Sequence, residues 1–146
     1  MASPHGEETG RFGEWLGDLL TSKQREEQTI FYYDHGNQEA DPHVAAIKGF
    51  VGQTVSNRNR LADIDVMLAS PAGKVQLLIE IEERPMSPKK LLGDLLALLL
   101  CNQVAVHKHY FRITPHTHLV IAGYFPAGGQ GRAKVEEVIQ PRLEHF

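Results

Sequence analysis

Residues 61–82, LADIDVMLASPAGKVQLLIEIE, leave few options for folding. Two runs that alternate in character flank Ser70-Pro71-Ala72-Gly73, a turn-forming sequence, so a hairpin of strands 61–69 and 74–82 is predicted. Strand side chains alternate between faces, and directly opposed residues share one. With a two-residue turn at Pro71-Ala72, Ser70 pairs with Gly73, Asp63 faces Glu80 and Asp65 faces Leu78. One face then collects Ala62, Ile64, Val66, Leu68, Val75, Leu77, Ile79 and Ile81, which is wholly apolar and belongs to a core. The other collects Leu61, Asp63, Asp65, Met67, Gln76, Leu78, Glu80 and Glu82. A three-residue turn would place Glu80 opposite Ile64 on the core side, a slip that the hydrophobic pattern penalises.

Four carboxylates thus gather at one end of one face, where opposed Cβ atoms lie about 4.5–5.5 Å apart. Facing like charges repel, and partial burial sharpens the repulsion. Solvent, arginine or lysine partners, or a divalent cation can relieve it. A solvated polar face with Arg58 and Arg60 as ion-pair partners is one outcome. Met67 and Leu78 on the same face favour another, in which that face is covered at one end and the acids line a cleft. Oxygen donors at this density suit Mg²⁺, Mn²⁺ or Ca²⁺.

Around the hairpin the pattern is that of an α/β domain with a mixed sheet flanked by helices. Residues 1–10 are polar and read as a loose segment. Phe12, Trp15, Leu16, Leu19 and Leu20 have helical spacing. Residues 28–33, QTIFYY, read as a strand. Asp41-Pro42 resembles a helix start, and a helix over 41–55 is predicted. Residues 57–60, NRNR, form a basic turn. Ser87-Pro88 caps a helix over 87–102 whose first turn carries Lys89 and Lys90. Lysines there oppose the helix dipole, at a cost of about 0.3–1 kcal/mol each, which a nearby acid cluster or phosphate would offset. Lys90 with Asp94 is also a simple i,i+4 pair. Residues 104–113 favour strand, 118–125 form another, and 132–140 form a closing helix stopped by Pro141.

The 146 residues suit one domain over 1–146, and the net charge of −3 is a poor match for binding nucleic acid by bulk charge alone. Cys101, the single cysteine, excludes an internal disulfide and reads as a core residue. No apolar run reaches the roughly 18 residues of a membrane span, and the N-terminus lacks a signal-peptide core, so a cytoplasmic chain without a membrane partner is expected. Residues 91–100 are apolar almost all round, which marks a buried helix or a subunit interface and raises the expectation of a homodimer. The His107/His109 and His116/His118 pairs lack an accompanying thiolate or carboxylate. The glycines at 128, 129 and 131 read as a turn, since the ending of a phosphate-binding loop is missing.

The hairpin and the helix after it resemble the PD-(D/E)XK nuclease superfamily over residues 41–125. Ala62-Asp63-Ile64-Asp65 matches the first motif strand, with alanine at the proline position. Ile79-Glu80-Ile81-Glu82 matches the second, with Glu82 where lysine is usual. The resemblance implies a restriction-endonuclease-like αβββαβ core and a Mg²⁺- or Mn²⁺-dependent nuclease cutting phosphodiester bonds, DNA above all. It implies Asp63 or Asp65 with Glu80 as metal ligands, and Glu82 as a further ligand or general base. It also implies Lys89 or Lys90 in the migrated lysine role, and Glu39 or Glu14 as the acid some members take from the first helix. Arg58, Arg60, Lys89 and Lys90 are the expected nucleic-acid contacts. A catalytically silent binding or assembly module of the same fold is the alternative.

Overall fold

A computed structural model describes residues 6–37 and 40–144. In chain order the elements are α1 (Glu7–Ser22), β1 (Ile30–Tyr33), β2 (Ile47–Phe50), β3 (Arg60–Ile64), β4 (Val66–Ala69), β5 (Val75–Pro85), α2 (Pro88–Leu100), β6 (Gln103–Val106), β7 (His109–Arg112), β8 (His118–Tyr124), α3 (Gln130–Lys134) and α4 (Gln140–Leu143). The fold is mixed α/β with two four-stranded sheets. The first has order β1-β4-β5-β8, antiparallel except for β8, which runs parallel to β5. The second has order β3-β2-β6-β7, all antiparallel. No helix among the described residues is long and apolar enough to cross a membrane.

The predicted strand 61–69 is divided at Asp65, and its two halves belong to different sheets. Its apolar residues therefore serve two cores. Ala62 and Ile64 face the larger one, with Ile47, Met67, Leu78, Leu98, Cys101, Val104 and Val106. Val66 turns the other way, toward Leu16, Phe31, Tyr33 and Ile79 beneath α1. Met67 and Leu78, on the face that also carries acids, are wholly buried. Burying side chains of this size is worth about 1.5–3 kcal/mol each, enough to keep the second sheet closed over that end of the face.

The turn departs from the two-residue prediction. Ser70 N–H donates to the Lys74 carbonyl, Gly73 N–H donates to the Ser70 carbonyl, and Gly73 has φ 80°. This is a three-residue loop ending in a left-handed residue, a position glycine fills without strain. A second irregularity between Leu68 and Ala69 restores the alternation, so Val66 pairs with Ile79 and Met67 with Leu78. The faces are those predicted along 66–68 and 77–79, but the partners slide by two residues.

Residues 41–55 form no helix. Asp41 Oδ1 accepts from His43 N–H at 2.8 Å, the Asp41 carbonyl accepts from Val44 N–H, and the Ala45 amide bonds Tyr33. The aspartate thus makes a turn, as its short side chain often does, and β2 follows. Gly49 explains the strand's position: a Cβ there would lie 2.9 Å from Cys101 Sγ and 3.4 Å from Ala62 Cβ. The segment 104–113 resolves into β6 and β7, and α1 starts at Glu7, inside the stretch expected to be loose; residues 1–5 lie outside the described ones. The last helix runs past Pro141, after a π turn at Val135–Ile139 that accommodates the missing proline donor. The Ser87 cap is as predicted, its Oγ accepting from Lys90 N–H at 3.1 Å with Pro88 at the first position. In α2 only Leu98 is fully buried, while Leu92, Leu96, Leu99 and Leu100 are exposed, which rules out a helix buried on all sides.

Gly49→Ala should lower stability by about 1–3 kcal/mol in urea denaturation. Combining it with Cys101→Ala should recover part of that loss, and an unchanged midpoint in the single variant would contradict this packing.

Candidate functional site

Asp65 stands where the chain leaves one sheet for the other. Its N–H still donates to the Ile79 carbonyl at 3.2 Å. Its carboxylate Oδ2 accepts from Ile81 N–H at 2.6 Å, bonding an amide that β3, having turned away, does not reach. The register that pairs Val66 with Ile79 brings Asp65, not Asp63, beside Glu80, and the two carboxyl groups are hydrogen-bonded to each other.

Burial drives the chemistry of this pair. Desolvation is the largest influence on both and raises both, Asp65 to about 6 and Glu80 to about 9. The Ile81 N–H holds charge on Asp65, whereas the Asp65, Asp94 and Asp63 charges push Glu80 further up. At neutral pH the pair therefore shares a proton that sits on Glu80 and is donated to Asp65.

The pair opens into a cleft of about 330 Å³ lined also by Asp63, Glu82, Lys90, Asp94, Met86 and Ile121. All four carboxylates predicted from the hairpin border it, but not from one sheet face. Asp63 lies on the outer face of the second sheet, is largely exposed, and is ion-paired with Arg60. Glu82 is ion-paired with Lys90, which lowers the Glu82 pKa and raises that of Lys90. Lys90 also reaches Asp94 Oδ2 at 3.3 Å. Asp94 is the cleft carboxylate that sequence reasoning took only as a lysine partner; its place one helical turn beyond Lys90, on the same side of α2, is the signal that could have found it.

The other candidates are dispersed. Lys89 is exposed and outside the cleft lining, and Arg58 is exposed in the turn before β3. Arg60 lies at the rim with Asn57 and Asp63. Glu14 borders a separate hollow with Asp41 and His43, and Glu39 lies outside the described residues. Glu83, not singled out in the sequence, accepts from Thr9 N–H at 2.7 Å and Thr9 Oγ1 at 3.1 Å, tying the start of α1 to the end of β5.

Among the described residues, no three His, Cys, Asp or Glu side chains converge as a ready-made metal-binding group, and this includes the histidine pairs. Two adjacent, cation-free carboxyls nevertheless fit Mg²⁺, which keeps several waters and commonly binds through one or two carboxylates. No protein-family model, curated protein or solved structure matches the chain.

An unfolded carboxyl titrates near pH 4. The folded pair holds its protons to about pH 6 and about pH 9. Between those limits the folded state binds more protons, so the pair's contribution to stability falls as pH rises from about 4 through about 9. Glu80→Gln should remove most of this fall and stabilise the protein on the order of 2 kcal/mol at alkaline pH, as read by thermal melts across that range. A parallel pH profile in the variant would contradict the shared proton.

Proposed function

We propose that the chain is a Mg²⁺- or Mn²⁺-dependent nuclease with a restriction-endonuclease-like core. The observation that carries the proposal is the half-buried Asp65–Glu80 pair, which has no cationic side chain of its own among the described residues, beside three partnered carboxylates and a lysine. The order of elements around the first sheet supports it: α1, three antiparallel strands β1, β4 and β5, then α2 and the parallel strand β8. The helix expected over 41–55 is absent, so in this reading α1 and β1 would take the places of the first helix and strand of the αβββαβ core, with β2, β3, β6 and β7 as a second sheet.

Asp65 and Glu80 would hold the cation, with Asp63 or Asp94 reaching it through water. When bound, Mg²⁺ supplies Lewis acidity and a lowered pKa for a coordinated water. Glu80 would give up its proton to solvent on loading, the cation then offsetting the two carboxylate charges in place of the shared proton. Glu82, ionised and paired with Lys90, would take a proton from an attacking water once that lysine turns to the phosphate. Lys90 sits between Glu82 and Asp94 and would exchange one of them for a phosphate oxygen, neutralising the charge that develops there. Such a lysine is a point-charge partner, not a fork that grips two oxygens. The exposed stripe Leu92, Leu96 and Leu99 of α2 is the face on which a second copy would pack.

Supercoiled plasmid incubated with Mn²⁺ should be nicked by wild-type protein. Glu80→Ala should lower the rate by about 100-fold or more, given that charge-stabilising groups are typically worth that much. Asp65→Asn, which keeps an oxygen for Ile81 N–H, separates lost chemistry from lost folding. Equal nicking by wild type and Glu80→Ala would overturn the mechanism. Cation binding without nicking would identify the silent member of the fold.

A further inference from the structure

The second sheet has an outer face that the proposed nuclease chemistry leaves unused. Its inner face is fixed by Gly49, Val104, Val106 and Phe111, which point into the core. Alternation therefore places Lys48, Ala105, Tyr110 and Asp63 together on the outer side. Direct pairing aligns them in one row across all four strands: Tyr110 to Ala105 to Lys48 to Asp63. The neighbouring row is Arg112, Gln103, Phe50 and Arg60, of which Phe50, like Ala105 in the first row, is buried, so the exposed groups lie toward the two edges of the face. At about 4.8 Å between strands, the row spans about 14 Å from an exposed aromatic ring to the rim of the carboxylate cleft.

The charges on this face are unbalanced. Arg60 is neutralised by Asp63, whereas Lys48, Arg112 and Lys108 of the β6–β7 turn form no ion pair among the described residues. Tyr110 is 59% exposed, while its neighbour Phe111 is buried in the core. Between the row and the loop at residues 34–37 lies a hollow of about 620 Å³ lined by Lys48, Ala105, His107, Asp34 and Asn37. Unpaired cations call for a polyanion, and an exposed ring beside them suits base stacking.

We infer that the outer face of the β3-β2-β6-β7 sheet binds a single-stranded nucleic acid. Tyr110 stacks on one base, the hollow above Lys48 and Ala105 receives another, and the strand runs along the row to Asp63 and the cleft. Duplex fits less well, because its bases are not free to stack on Tyr110. The assignment rests on the nuclease reading only in making this strand the substrate; the binding itself needs neither metal nor the carboxyl pair.

Fluorescence anisotropy of a short labelled oligothymidylate in EDTA tests it without cleavage. Wild type should bind with a log–log salt slope of about −2, as expected for three phosphate contacts on a single strand. Tyr110→Ala should weaken binding about tenfold, and Tyr110→Phe should leave it nearly unchanged. Arg112→Glu should weaken it and flatten the salt slope by about one, while Asp65→Asn should bind as wild type does. All of these positions but Asp65 are exposed, and melting temperatures establish that each variant folds. Absence of oligothymidylate binding, indifference to Tyr110→Ala, or equal binding of a duplex would overturn the inference. If the oligonucleotide binds as described but Mn²⁺ produces cleavage of neither plasmid nor the oligonucleotide, the face stands and the nuclease reading falls. If nicking depends on Glu80 but not on Tyr110 or Arg112, the reverse holds.

Discussion

One carboxylate sits at the joint between the two sheets. Asp65 accepts the Ile81 N–H with its side chain where β3 has turned out of the first sheet, so the strand can change sheets without leaving that amide unpaired. The same placement buries Asp65 beside Glu80 and forces the pair to share a proton. Architecture and candidate chemistry thus have one origin. A neutral residue of similar shape could make the backbone bond, but it would not generate a paired, protonatable oxygen site.

Beyond this joint, the molecule separates its charges. The cleft gathers Asp63, Asp65, Glu80, Glu82 and Asp94 around a single lysine, while the outer face of the second sheet carries Lys48 and Arg112, which form no ion pair among the described residues. A net charge of −3 conceals this division, and an acidic cleft would repel a polyanion over the roughly 10 Å reach of unscreened charge at moderate salt. A neighbouring basic face and a cation in the cleft would offset that repulsion in complementary ways, the one proposed to hold the strand and the other to neutralise the site.

Much of this was legible in the sequence where the signal is periodic. Alternation over residues 61–82 gave the hairpin, the faces along 66–68 and 77–79, and the convergence of four carboxylates on one cleft. Ser87-Pro88 marked the start of α2. Partners were less legible, because Gly73 adds a residue to the turn and a second irregularity adds another, sliding Glu80 from Asp63 to Asp65 without disturbing the pattern of faces. The strand break at Asp65 left no compositional trace, since the apolar residues on either side feed different cores yet look alike. Residues 41–55 misled for a different reason: Asp41-Pro42 is as good a turn as a helix start, and Gly49 reveals its purpose only once Cys101 is packed against it. Asp94 was visible as a letter, but its role depends on where α2 lies.

The proton shared by Asp65 and Glu80 is directly measurable. Carbon-13 NMR of the side-chain carboxyls should find Glu80 still protonated at pH 7, with Asp65 titrating above the ordinary carboxylate range. Adding Mg²⁺ should bring both titrations to lower pH as the cation replaces the proton. If both groups titrate near pH 4 and Mg²⁺ leaves them unmoved, the buried pair is not the centre of this protein's chemistry.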